Sequence, residues 1–265
     1  MSIITQTKGT LQYLTAEGID LPHCFTTRLG GVCTGYAESL NLAVSRDTLE
    51  HVTENYRRLG NVLGFAIEDL VLTCQVHGDT VRKVTRADHR GLKNKDYPAC
   101  DALITNDPGT ALVVFTADCT PILLHDPATG AVGAAHAGWR GTAMGIAAKT
   151  ADAMVKNFGC DPKNIRAAIG PNIARCCFQT DADVPEAMLA ALGEDARPFI
   201  RPSGEKFYVN LKGINALWLR RAGVEKIEIS TACTVCQSDT FWSHRVTRGQ
   251  RGSQGAIIVC KEVGK

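Results

Sequence analysis

Three segments of the chain place reactive side chains at the ends of apolar runs, two of them beside glycines. They are Gln75-Val76-His77-Gly78, Thr116-Ala117-Asp118-Cys119-Thr120-Pro121 and Ala135-His136-Ala137-Gly138-Trp139-Arg140-Gly141. A side chain that emerges where a strand gives way to a loop is rigidly held yet open to a ligand. His77, Cys119 and His136 together offer two imidazoles and a thiolate. That donor set suits Zn²⁺ and can also accept copper. Three protein ligands with an open fourth position is the catalytic pattern, because the ion can then acidify a water. The ligand spacing is not that of a zinc finger. The same residues permit a metal-free alternative, in which Cys119 and His136 act as a thiolate–imidazolium nucleophile pair. They also permit a plain one, a small buried thiol and two hydrogen-bonded imidazoles. Spacing does not decide among these, since such groups meet in space rather than along the chain.

Cations accompany these motifs. Arg28 precedes Gly30-Gly31, and Arg140 stands just before a helix expected from Thr142. A helix N-terminus with an adjacent arginine is a natural anion site. Arg245 and Arg248 follow His244 and read as solvated charges. Asp118 should point away from Cys119 if that segment stays extended, which makes it structural.

The 11 cysteines are unusual for 265 residues, and an odd count cannot pair completely within one chain. The opening MSIITQTKGT has neither a basic nor an apolar signal region, so reduced thiols in the cytoplasm are expected. Cys233-x-x-Cys236 is a lone CxxC without a second one, which supports a zinc knuckle poorly. Cys176 and Cys177 are adjacent. Cys24, Cys33, Cys74, Cys100, Cys160 and Cys260 read as small apolar fillers, and His89 and His125 as turn residues. A net charge of +2 gives no reason to expect a nucleic-acid or membrane partner. No Gly-rich nucleotide fingerprint is present.

The elements that must position these residues are legible in the hydrophobic pattern. Helical spacing predicts helices after Asp47 as far as Leu63 with Gly64 as the stop, and over 142–157, 184–192 and 210–221. Short apolar runs predict strands at 71–76, 80–84, 112–115, 122–124, 131–135, 165–169, 227–230 and 256–259. Several are apolar on both faces and should lie in the interior. Residues 126–130 read as a hairpin turn. The composition, 45% hydrophobic and 21% charged, is that of a globular chain. The expected architecture is α+β, one domain over residues 1–265, with mixed β-sheets in a sandwich-like core flanked by helices.

The ADC and HAGWRG motifs resemble the signature of the laccase-domain, or multicopper polyphenol oxidase-like, family. The resemblance extends through Phe25-Thr26-Thr27-Arg28, Leu40-Asn41-Leu42, Asp101-Ala102-Leu103, Ile169-Gly170-Pro171 and Ser243-His244-Arg245. It implies one zinc held by His77, Cys119 and His136, and a fold similar to that of a toxin deamidase. It implies phosphorolysis of adenosine, inosine and S-methyl-5'-thioadenosine, with adenosine deaminase activity. The expected partners are therefore purine nucleosides and phosphate. Arg28 and Arg140 are then candidates for the phosphate, and Asn41 for the ribose or base. The alternative is a hydrolase that edits misloaded UDP-muramoyl-amino acid precursors. A copper laccase is not favoured, because several copper centres need more ligands than 7 histidines supply. Gln179 and Ser253 depart from the family pattern, which commonly has Glu and Arg there.

Overall fold

The structure, a computed structural model, describes residues 2–92 and 97–262. The strands of its first half are β1 (Ile3–Lys8), β2 (Leu11–Ala16), β3 (His23–Thr26), β4 (Leu70–Leu72), β5 (Val81–Lys83), β6 (Ala102–Thr105), β7 (Ala111–Thr116) and β8 (Thr120–His125). Those of the second half are β9 (Val132–Ala137), β10 (Arg166–Ile169), β11 (Gln179–Thr180), β12 (Ile200–Ser203), β13 (Lys206–Val209), β14 (Lys226–Ile229) and β15 (Gln254–Val259). The helices are α1 (Leu49–Leu63), α2 (Trp139–Ala143), α3 (Ile146–Phe158), α4 (Asp183–Leu192), α5 (Leu211–Arg221) and α6 (His244–Thr247).

Two mixed six-stranded sheets form the core. Their orders are β1-β2-β3-β15-β7-β4 and β14-β10-β8-β9-β6-β5. They meet face to face through β7 and β15 on one side and β8 and β9 on the other. The pleat explains why the central strands are apolar throughout. On β8, Leu123 enters the cluster between the sheets, while Ile122 and Leu124 enter the cluster beneath α3 and α5. The expected α+β class with mixed sheets and outer helices is the one observed. A third, small sheet, β11-β13-β12, has no counterpart in the sequence pattern. The hairpin of β1 and β2 has none either, because β1 is a largely exposed, polar edge strand.

Helix ends follow local chemistry. Thr48 caps α1 by accepting the His51 N–H, and Gly64 closes it in the left-handed region. The single helix expected over 142–157 is two. Gly145 at φ +77° separates α2 from α3, and the indole of Trp218 packs against it. The strand expected over 71–76 stops at Leu72, and the chain beyond it is recruited by side chains described below. His125 is not a turn residue. It is the buried last residue of β8. His89 does end a short 3₁₀ turn, with Nε2 3.0 Å from Thr110 Oγ1. Among the described residues, no helix is long and apolar enough to cross a membrane.

Candidate functional site

Sheet register brings the reactive residues together. In the antiparallel pair β8–β9, Thr120 lies opposite Ala137 and Pro121 opposite His136. Cys119, just before β8, therefore sits beside Gly138, just after β9. Cys119 follows a tight link from β7, where Asp118 takes φ +86°. His77 reaches the same place from the loop after β4, with φ +59°. Left-handed backbone is rare away from glycine, and such strain gathers at functional sites. One donor atom from each of His77, Cys119 and His136 lies within 4.8 Å of the other two. The two imidazole rings meet edge to face, with centroids 4.8 Å apart.

Asp101 organises this group. Its carboxylate is completely buried and accepts a hydrogen bond from His136 Nδ1 at 2.8 Å. It also accepts the backbone N–H groups of Val76, His77 and Gly78 at 3.1, 3.0 and 2.8 Å. One side chain thus aims an imidazole and folds the loop that bears the other. These bonds explain why the strand after Leu72 does not continue. The arrangement commits His136 Nδ1 as a donor and leaves Nε2 as the available ligand atom.

Electrostatics favour a thiolate at Cys119. Burial pushes its thiol up, but the charge of His136 and hydrogen bonds from His136 and His77 outweigh burial and hold it below the ordinary range. For His136, burial opposes the charged form, yet Cys119 and Asp101 raise it above an ordinary imidazole. Five of the filler cysteines behave oppositely. Burial pushes the thiols of Cys24, Cys33, Cys100, Cys160 and Cys260 up, as inert apolar side chains require.

Gly138 is needed for space rather than for backbone freedom. Its φ of −66° is open to any residue, but a Cβ there would lie 2.6 Å from His77 Nδ1 and 3.4 Å from Cys119 Sγ. Gly138→Ala should therefore displace the His77 ring while leaving the fold intact. We expect metal affinity to fall by about tenfold, the scale of disturbing a ligand's support. Chelator competition would measure it, with an unchanged melting temperature as the control.

The donors lie in a cleft of about 410 Å³ that also exposes Phe178, Arg245 and Arg251. A larger cavity of about 1330 Å³ shares Gln75, Phe115 and Ser253 with it. Asp118 does not point away along an extended strand. Its carboxylate accepts the Thr234 hydroxyl at 2.6 Å and the Arg245 N–H at 2.7 Å, which ties α6 to the cleft. Gln75 spans to β7, donating to Phe115 O at 2.9 Å and accepting the Phe115 N–H at 2.6 Å.

The residues considered for substrate lie elsewhere. Arg28 donates to the carbonyls of Ser238 and Glu38 and stacks 4.0 Å from the Trp242 ring. Asn41 is fully buried, donates to Ala43 O and accepts the N–H groups of Ala43 and Ser253. Arg140 lies within the short α2, not ahead of a helix starting at Thr142. It is exposed and stacks 4.2 Å from the Trp139 ring. None of the three lines the cleft. Arg245, read from the sequence as a solvated charge, and Arg251, which the sequence pattern did not single out, do line it. Ser253, where the family pattern has Arg, accepts from Arg251 Nη1 at 3.0 Å, so a guanidinium still reaches this wall. The Gln179 side chain is exposed and does not line the cleft, but its carbonyl accepts from Arg245 at 3.3 Å.

Comparison with known proteins follows the same lines. Residues 22–261 match the family described as multi-copper polyphenol oxidoreductase laccase. A purine nucleoside phosphorylase of Deinococcus radiodurans is 39% identical over 249 residues, covering 94% of this chain and 92% of the relative. Purine nucleoside phosphorylase YlmD of Geobacillus stearothermophilus is 38% identical over 245 residues, covering 89% of each. The crystal structure of the Bacillus licheniformis hypothetical protein YfiH superposes with a TM-score of 0.89 at 34% identity, covering 97% of this chain and 99% of that one.

Proposed function

Because this chain belongs to the multi-copper polyphenol oxidoreductase laccase family, and its relatives carry the name purine nucleoside phosphorylase, we propose that it is a zinc-dependent purine nucleoside phosphorylase. Its substrates are adenosine, inosine and S-methyl-5'-thioadenosine, and it also deaminates adenosine. Its proposed location is the cytoplasm. The observation that carries the proposal is the convergence of His77, Cys119 and His136 in a cleft bearing two guanidinium groups.

The residues fit a zinc ion. The donors are two imidazoles and a thiol already held toward its anion, and Asp101 fixes the tautomer of one ligand. Zinc bound there supplies Lewis acidity and an acidified water. The chain's own groups do the rest. Arg245 and Arg251 bind phosphate through charge-assisted hydrogen bonds. Phe115 and Phe178 offer apolar ring surface to a purine. Phosphate oxygen bonds to C1′ of the ribose as the C1′–N9 bond breaks, and that electron pair leaves with the base. Together the two cavities exceed what a nucleoside requires. A copper oxidase is not favoured, because one three-ligand cluster of two imidazoles and a thiol does not supply the several copper centres that such chemistry needs.

A second reading has its own support. Asp101, His136 and Cys119 form an orienter–base–thiolate chain, the arrangement of a cysteine hydrolase acting on a muramoyl amide. Metal dependence separates the two. Metal-replete protein incubated with inosine should release hypoxanthine only when phosphate is present, and chelation should abolish release. Absence of phosphate-dependent base release from all three nucleosides would overturn the proposal. Amide hydrolysis that survives chelation would establish the second reading.

A further inference from the structure

Four cysteines outside the cleft meet at one point. Cys176 and Cys177 lie in the turn before β11, and Cys233 and Cys236 in the loop that leads to α6. Their four sulfurs all lie within 4.8 Å of one another. Cys236 Sγ is 3.4 Å from Cys177 Sγ and 3.6 Å from Cys176 Sγ. The CxxC lacks a second CxxC in the sequence, but the adjacent pair supplies the missing two thiols in space. We infer that Cys176, Cys177, Cys233 and Cys236 form a second metal centre, a tetrathiolate zinc site that clamps together two loops of the cleft wall.

Geometry supports a metal over a disulfide. Zn–S bonds near 2.3 Å in a tetrahedron set sulfurs about 3.8 Å apart, and Cys236 Sγ stands 3.4 and 3.6 Å from two of the others, with all four within 4.8 Å. A disulfide needs sulfurs at about 2.05 Å and would join only two of the four. The surroundings suit thiolates. Ala174 N–H donates to Cys233 Sγ at 3.4 Å. Lys212, nearly fully buried, donates to Ser230 O and Ala232 O at 2.7 and 2.6 Å, which places an ammonium beside the cluster. Four thiolates around Zn²⁺ carry a net negative charge that this cation offsets. Binding releases four thiol protons to solvent and requires no oxidant. Cys176 and Cys236 are exposed, so packing does not account for them.

The position assigns the site a role. Phe178 follows Cys177 directly, and Arg245 lies at the far end of the second loop. Arg245 Nη1 donates to the carbonyls of Cys177 and Gln179, both at 3.3 Å, across the same junction. Thr234, next to Cys233, donates its N–H to Asn172 O and its hydroxyl to Asp118. A closed four-ligand zinc site is structural, and here it would fix the wall that presents Phe178 and Arg245.

Metal counting by mass spectrometry tests this without reference to activity. Protein purified without chelator and kept reduced should carry about two zinc ions per chain. Cys119→Ser should retain about one, and so should Cys236→Ser, whose exposed side chain can be changed without disturbing the core. Cobalt(II) exchanged into Cys119→Ser should give the intense charge-transfer absorption of a tetrathiolate site, and Cys119→Ser/Cys236→Ser should lack it. A Cys119→Ser protein without metal would overturn the inference. So would a zinc content unchanged by Cys236→Ser, or a disulfide among the four in the reduced preparation.

Discussion

Cys119→Ser is expected to remove the cleft metal and the phosphorolytic activity together. The loss in kcat/KM should exceed the roughly 10–100-fold effect of deleting a partner that only supports a ligand. The substitution is nearly isosteric, so the fold should survive. A serine hydroxyl stays protonated near neutral pH, so it does not supply the anionic ligand that the thiolate provides. Metal content and steady-state phosphorolysis of inosine check it on one preparation. Full activity in the variant would eliminate both the metal and the thiol mechanisms, because each needs this sulfur.

Asp101→Asn is the more diagnostic change, since it leaves every proposed ligand in place. The buried carboxylate accepts from His136 and from three successive backbone N–H groups. An amide presents its own NH₂ to at least one of those donors. A lost hydrogen bond to a buried charged group costs about 1.5–3 kcal/mol, and metal affinity should fall by about 10–100-fold. The pH dependence follows from linkage. Burial opposes ionisation of Asp101, but the hydrogen bonds from His136, Gly78 and Val76 and the charge of His136 hold its carboxyl below the usual range. A carboxyl lowered in the folded state contributes stability that is full above its unfolded pKa, near 4, and lost as pH falls through the folded value. Denaturation curves of the wild type should therefore weaken below about pH 4, and that acid-sensitive increment should shrink in Asp101→Asn. An Asp101→Asn protein with wild-type metal affinity and an unchanged acid limb would remove Asp101 from its positioning role.

The sequence by itself determined which side chains could do chemistry and where the main elements lie. His77, Cys119 and His136 are conspicuous because each stands at the end of an apolar run, the two histidines near a glycine. Helix α1 is legible from Thr48 to Gly64 because capping and left-handed closure are local events. The buried strands β7, β8, β9 and β15 are legible because both their faces are apolar. The tertiary structure decided everything that depends on register between distant segments. Asp101 lies at the start of an unremarkable apolar run, and only pairing of β6 with β9 brings its carboxylate to His136. Arg245 looks like a surface charge until α6 is tied to Asp118. Arg28 and Asn41 stand near the motifs in the sequence, and only the fold places both outside the lining of the cleft. Cys176-Cys177 and Cys233-x-x-Cys236 each read as incomplete, and they become one four-sulfur cluster only where two loops meet. Periodicity and capping report what a residue does to its neighbours within a turn or a strand. Ligand sets and anion pockets are assembled by contacts across the sheets, which local sequence does not encode.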